Sequence, residues 1–158
     1  MYPWSSNTLK RMVKAPKLYF LDTGLSAWLL NWTIPETLEA GPLSGAFFET
    51  WVISEIYKSF LNAGMEPSLY YYRDKDKKDI DLLIYIDRKL HPVEIKKTAA
   101  PDRAMVRNFQ VLEKAERTAE EESPLSPAPA IGSGALICQI PQYLPINEHH
   151  AYVPVGFL

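Results

Sequence analysis

Two spacings of apolar residues divide this chain. From about residue 43 to residue 62 the positions Val52, Ile53, Ile56 and Phe60 recur every three or four residues, the period that lines one side of an α-helix. Gly64 follows as a terminator suited to positive φ. Beyond it the spacing shortens to two. "SLYYYRD" reads as one strand, and "DIDLLIYI" and "HPVEIKK" as two antiparallel strands joined by a turn at "DRK". The helical period returns in "PDRAMVRNFQVLEKAER", with Pro101 in the first turn and Met105, Val106, Phe109 and Leu112 along one stripe. "ALICQI" closes the pattern as a strand, and "AYVPVGFL" reads as an edge strand limited by Pro154.

The upstream part is less regular. Residues 1–16 carry Lys10, Arg11 and Lys14 without periodicity and read as a tail or the remnant of an upstream region. Residues 17–40 read as a small strand–helix extension, with "KLYFL" as the strand and Asp22 or Thr23 capping the helix that carries Leu25, Trp28 and Leu29. "TIPETLEAGPLSG" is a connector, and "TAEEESPLSPAPAIGSG", acidic and then Pro-rich, is a loop. Residues 41–158 form the main domain, in the order helix, three strands, helix, strand. That is an α/β fold with a mixed sheet.

Charges interrupt the apolar strands. Alternation puts Ile80, Leu82, Ile84 and Ile86 on one face and Asp79, Asp81, Leu83 and Tyr85 on the other. The aliphatic face is expected in the core. If the turn has an even number of residues, Asp81 shares a face with Glu94 and Lys96. Asp79, beside the basic turn, is expected to be solvated. On the helix Glu49 falls in line with Val52, Ile53 and Ile56, whereas Glu55 and Lys58 lie on the polar side. A carboxylate in an apolar stripe is costly unless it is paired or shares a cation with others.

Two or three carboxylates around one point suit a hard divalent cation such as Mg²⁺ or Mn²⁺. Such a cation stabilises charge on a phosphate and acidifies a bound water. Lys96 points to the same face as Glu94 and can orient or deprotonate the attacking water, or stabilise the charge that develops. Ile95 lies between them and offers its backbone carbonyl as a further ligand. This combination suits hydrolysis of a phosphodiester. Arg73, Lys75, Lys77 and Lys78, with Lys97, read either as a phosphate-binding rim or as an ordinary solvated surface. Tyr71 is expected in the core, and His149 and His150 at the surface.

Composition narrows the picture further. Of 158 residues 47% are apolar and 23% charged, with a net charge of −2, so one soluble globular domain is expected and no overall basic character marks a nucleic-acid binder. Cys138 is the single cysteine; it excludes an internal disulfide and fits a reducing, cytoplasmic compartment. No stretch approaches the roughly 20 apolar residues that span a bilayer, and no membrane partner is expected. No G-x-x-x-x-G-K-[ST] occurs, so no nucleotide is expected in this fragment.

Asp81, Glu94-x-Lys96 and the helix-borne Glu49 resemble the PD-(D/E)xK nuclease superfamily, with Ile80 where the superfamily name has Pro. More closely, "KLYFLDTGLSAWLL", "GAFFETWVISEI", "YYYRDKDKKDIDLLI", "HPVEIKK" and "AYVPVGFL" resemble, in order, the domain of unknown function found C-terminal to the ATPase module in bacterial and archaeal AAA-type ATPases. The resemblance implies a restriction-endonuclease-like αβββαβ core. It implies Asp81 and Glu94 as metal ligands, Lys96 as the water-activating residue and Glu49 as an accessory acid. It also implies a C-terminal fragment of a larger chain whose partners are DNA and its own N-terminal ATPase domain; a homo-oligomer is compatible with it. A metal-dependent endonuclease domain is the expectation, and a non-catalytic DNA- or protein-binding module of the ATPase is the alternative.

Overall fold

The computed structural model describes residues 1–4, 15–32, 34–74, 78–112 and 129–158. A mixed sheet of eight strands runs through them: β1 (Tyr2–Pro3), β2 (Leu69–Arg73), β3 (Asp79–Ile86), β4 (Lys89–Ile95), β5 (Ala130–Ile131), β6 (Gly134–Cys138), β7 (Leu144–Pro145) and β8 (His150–Pro154). The spatial order is β1-β2-β3-β4-β6-β8-β7, with β5 beside the start of β4. β2, β3 and β4 are antiparallel neighbours; β4, β6 and β8 are parallel. The fold is therefore α/β with a mixed sheet.

Each face of the sheet has its own core. Helix α3 (Ser44–Asn62), preceded by the short helices α1 (Thr23–Leu29) and α2 (Pro35–Ala40), lays Val52, Ile53 and Ile56 on Leu82, Val93, Ile95 and Ile137. Each of those side chains contributes on the order of 1.5–3 kcal/mol by leaving water. On the other face a 3-10 helix (Arg103–Phe109), continued by one α-helical turn to residue 112, packs Val106, Phe109 and Leu112 on Ile80, Leu83, Leu136 and Cys138. The apolar stripe read from the sequence is the buried one. The remainder of that expected helix, the expected loop as far as residue 128 and the basic residues Lys75 and Lys77 lie outside the described residues, and the end of the expected loop holds the short strand β5.

The helix expected at 43–62 forms one residue shorter at its start, and Gly64 takes the left-handed φ of 71° just past its end. Asp22 caps α1, its carboxylate accepting from the Leu25 N–H at 3.0 Å. Four expectations change. "KLYFL" forms no strand, because no neighbouring strand offers it a ladder. Tyr2–Pro3, read as tail, instead pairs in parallel with Tyr70–Tyr71. The connector holds α2, started by Pro35 at its first position. And β8 is not an edge: β7 lies outside it.

The face assignment of β3 also changes. Both faces are buried, since Leu83 is as inaccessible as Leu82. Ile80 packs with Leu83 and not with Leu82. The cause is a β-bulge. Tyr70 pairs with Leu83 and Tyr72 with Ile80, so three residues of β2 oppose four of β3, and the extra residue reverses alternation at Asp81–Leu82.

Candidate active site

The β3–β4 hairpin builds the centre of the site. Its loop has two residues, Asp87 and Arg88, both at positive φ (50° and 60°), between the closing pair Ile86 and Lys89. That geometry is a type I′ turn. The loop is even, as the shared-face expectation required. Continuing the register past Leu82 and Val93 brings Asp81 opposite Glu94. The backbone ladder stops at that last pair. Beyond it the Ile95 N–H donates to Asp81 Oδ2 at 2.9 Å, so a side chain takes the place of a strand carbonyl.

Lys96 closes the cluster. Its ammonium lies 3.0 Å from Asp81 Oδ2 and 2.8 Å from Glu94 Oε1. Asp81 and Glu94 are the two buried charged side chains among the described residues, at 7% and 5% exposure, while Lys96 is half-exposed. Burial pushes the Glu94 carboxyl up to about 7, and the Asp81 charge adds to this against the opposing pull of Lys96. Burial disfavours the Lys96 ammonium, but Asp81 and Glu94 outweigh it and hold its pKa above the usual lysine value. Lys96 is thus a cation at neutral pH. It can donate hydrogen bonds and stabilise negative charge, and it is poorly suited to take a proton from water.

One oxygen of the pair stands out. Glu94 Oε2 is buried and has no hydrogen-bond partner, a costly condition for a carboxylate oxygen. A divalent cation or a ligand proton would satisfy it, so Asp81 and Glu94 fit the metal-ligand roles expected of them, with Ile95 adjacent in the chain. Glu49 is not gathered with them: among the described residues no group of three acidic, histidine or cysteine side chains is close enough to hold a metal ion.

Glu49 stands on α3, half-buried, and is held by the N-terminal segment. The Tyr19 hydroxyl donates to Glu49 Oε1 at 2.7 Å, and the Lys17 ammonium lies 3.8 Å from the same oxygen. Tyr19 is held protonated, first by burial and then by Glu49, with a further push from the charge of Asp81. Sequence reasoning missed these partners, because "KLYFL" read as a strand whose side chains point by alternation. The usable signal was Glu49 itself, a carboxylate in an apolar stripe that needs a donor.

Of the three proposed rim residues that are described, two form ion pairs within the chain. Arg73 pairs with Asp79 at 2.9 Å, so Asp79 is a partner of the rim. Lys97 reaches back to α2, with Glu39 Oε1 at 2.9 Å. Lys78 is exposed. Tyr71 is buried as expected; His149 is exposed, whereas His150 is half-buried against Phe109. At the opposite end of the sheet a separate open concavity of about 480 Å³ is lined by Ile84, Ile86, His91 and Tyr143 among others.

Fold and site together define an α/β domain with a buried Asp–Glu pair, bridged by a half-exposed Lys, where two central strands separate. Residues 44–158 match the family described as "Domain of unknown function (DUF4143)", and the chain belongs to that family. Residues 1–36 match a second, "Domain of unknown function (DUF8612)". Among curated proteins it is similar to two uncharacterized proteins, one from Mycobacterium tuberculosis (strain H37Rv) and one from Mycobacterium bovis, each 35% identical over 100 residues. The match covers 63% of this chain, and the chain spans only 22% of the length of these relatives. No solved structure matches it. No described helix is long and apolar enough to cross a membrane.

Proposed function

We propose that residues 41–158 are a PD-(D/E)xK-type, metal-dependent nuclease-like domain that hydrolyses DNA phosphodiesters, attached in longer proteins to an AAA-type ATPase. The carrying observation is the pair Asp81 and Glu94, buried at the end of the β3–β4 ladder, bridged by Lys96 and with Glu94 Oε2 unpartnered. A pure scaffold has no use for two buried carboxylates, which cost several kcal/mol when incompletely paired. The order α3, β2, β3, β4, helix, β6 supports a restriction-endonuclease-like core. Relatives several times longer leave room for an attached ATPase.

Asp81 and Glu94 would hold Mg²⁺ or Mn²⁺, with the Ile95 carbonyl as a further donor, and Glu49, which stands apart from them, would act only through the ion's water shell. A bound divalent ion supplies Lewis-acid stabilisation of the phosphate and an acidified water. The residues themselves do the rest. Asp81 is fixed by the Ile95 N–H. Lys96 stays protonated, orients the water and stabilises the charge on the phosphate oxygens. Arg73 and Lys97 would exchange their carboxylate partners for phosphates as DNA docks.

A second function is favoured by a different observation. Helix α1 has no buried residue and presents Leu25, Trp28 and Leu29 to solvent, as a protein-binding regulatory module of the ATPase would. Cleavage separates the two. Plasmid and branched DNA are incubated with Mg²⁺ or Mn²⁺ and wild type, Asp81→Ala or Lys96→Ala, each checked for folding by circular dichroism. A nuclease cuts as wild type and loses roughly 10²-fold or more in either variant while DNA binding barely moves. Folded wild-type protein that never cuts, alone or with the longer chain, would leave the binding module.

A further inference from the structure

We propose that helix α1 and the cavity beside it form a two-fold interface between two copies of this chain, in which Trp28 of each copy seats in the cavity of the other. Such an interface does not depend on the metal-dependent function above. Helix α1 is seven residues long and buries none of them. Isolated helices shorter than about 12–15 residues are marginal in water, so a helix this short draws its stability from a covered apolar face. Here that face is bare: Leu25, Trp28 and Leu29 follow helical spacing and are all exposed, Trp28 at 68%. The exposed large apolar side chains between Leu18 and Leu30 present on the order of 800 Å². That exceeds the roughly 300–600 Å² of the largest patch on a typical monomer and is close to the roughly 800 Å² that each partner gives to a standard interface.

Shape and charge both favour a second copy as the partner. A knob and a hole lie side by side on this surface. Trp28 projects from α1, and its chain neighbours Leu29 and Leu30 line, with Phe20, Leu43, Ala46 and Phe47, an open apolar cavity of about 250 Å³. A surface that carries both halves of a contact can pair with its own copy about a two-fold axis. Around such an axis each charge is brought toward its own kind, which repels. Between Leu18 and Leu30 the one charged residue is Asp22, and its carboxylate is already engaged in capping α1 through the Leu25 N–H. No described residue that lines the cavity is charged. An uncharged patch centred on a tryptophan has the composition of an interface core.

The test is analytical ultracentrifugation of the whole chain from about 1 to about 300 μM, where an interface of this size without ion pairs should pass from monomer to dimer. Trp28→Ser removes the knob, Ala46→Arg blocks the hole, and Tyr143→Ser removes an exposed aromatic that lines the separate concavity. Trp28 and Ala46 are exposed in the single chain, so both variants should keep the wild-type circular dichroism and melting temperature in dilute protein. Each substitution counts twice in a two-fold contact, so Trp28→Ser and Ala46→Arg should each weaken the dimer about 100-fold, while Tyr143→Ser dimerises as wild type. Mixing the two defective variants restores one knob and one hole, and the mixture should associate where neither does alone. Wild type that stays monomeric throughout overturns the interface and leaves this surface to another part of a longer polypeptide. A dimer that survives Trp28→Ser, or one that Tyr143→Ser weakens as much, overturns it as well. If Ala46→Arg does not fold, Trp28→Ser against Tyr143→Ser still decides.

Discussion

Glu94 is buried beside Asp81, and its carboxyl is pushed up to about 7. Below the ordinary glutamate range the folded and unfolded chains are both protonated there, and the contribution to stability is complete. Between that range and about 7 the folded state holds a proton that the unfolded state has released, so stability falls as pH rises through this window. The loss should total roughly 3–4 kcal/mol, at about 1.4 kcal/mol per pH unit of displacement. Urea unfolding of Glu94→Gln, followed from about pH 4 to about pH 8, should lack that slope; an unchanged slope would place the titrating group elsewhere. Asp81, Glu94 and Lys96 were legible from sequence because a period of two and an even turn settle their shared locality. Tyr19 and Lys17 were not, since nothing local to them points at a helix thirty residues away in the chain.

The β3–β4 hairpin turns on Asp87 and Arg88, both left-handed, and arginine bears a steric cost there that glycine does not. Arg88→Gly should stabilise the fold by roughly 0.5–1 kcal/mol, visible as a higher melting temperature, provided only the turn is affected. A destabilised variant would mean that the Arg88 side chain makes a contact outweighing its backbone strain. Helix α3 was read almost to the residue because an amphipathic period of nineteen residues is long and redundant. "KLYFL" was misread for the converse reason: five residues of strand-like composition become a strand only where a partner supplies hydrogen bonds. Met1–Trp4 reached the free edge of β2 instead, with the Trp4 N–H donating to the Tyr71 carbonyl and the Trp4 ring against Tyr70 and Tyr85. The bulge at Asp81 had no signal of its own, because "DIDLLIYI" alternates equally well with or without it.

Across the molecule, apolar surface is distributed unevenly. Leu18, Leu21, Leu25, Trp28 and Leu29 are all exposed and cluster in the segment before α3, where a shallow apolar cavity of about 250 Å³ lies between Phe20, Leu30, Leu43 and Phe47. Trp28 is 68% exposed, so Trp28→Ser should change unfolding free energy by no more than about 0.5 kcal/mol. A larger loss by urea denaturation would show that α1 is packed more tightly than its exposure indicates. The net charge of −2 gave no indication of where charge is concentrated, since folding buries Asp81 and Glu94 and spends Arg73 and Lys97 on internal ion pairs.

By itself the sequence determined the α/β class, the long helix, the β3–β4 hairpin and the Asp81, Glu94, Lys96 triad. All of these follow from periodicity and short-range geometry, which residues close in the chain enforce on one another. The tertiary structure alone decided which strands lie side by side, that both faces of β3 are covered, that Asp81 sits at a bulge where the ladder ends, and that Glu49 is held from the N-terminal segment. Those features depend on which distant segment reaches a free edge or an unsatisfied oxygen first and best. That competition is settled by packing across the whole fold, and it leaves no mark on any one stretch of the chain.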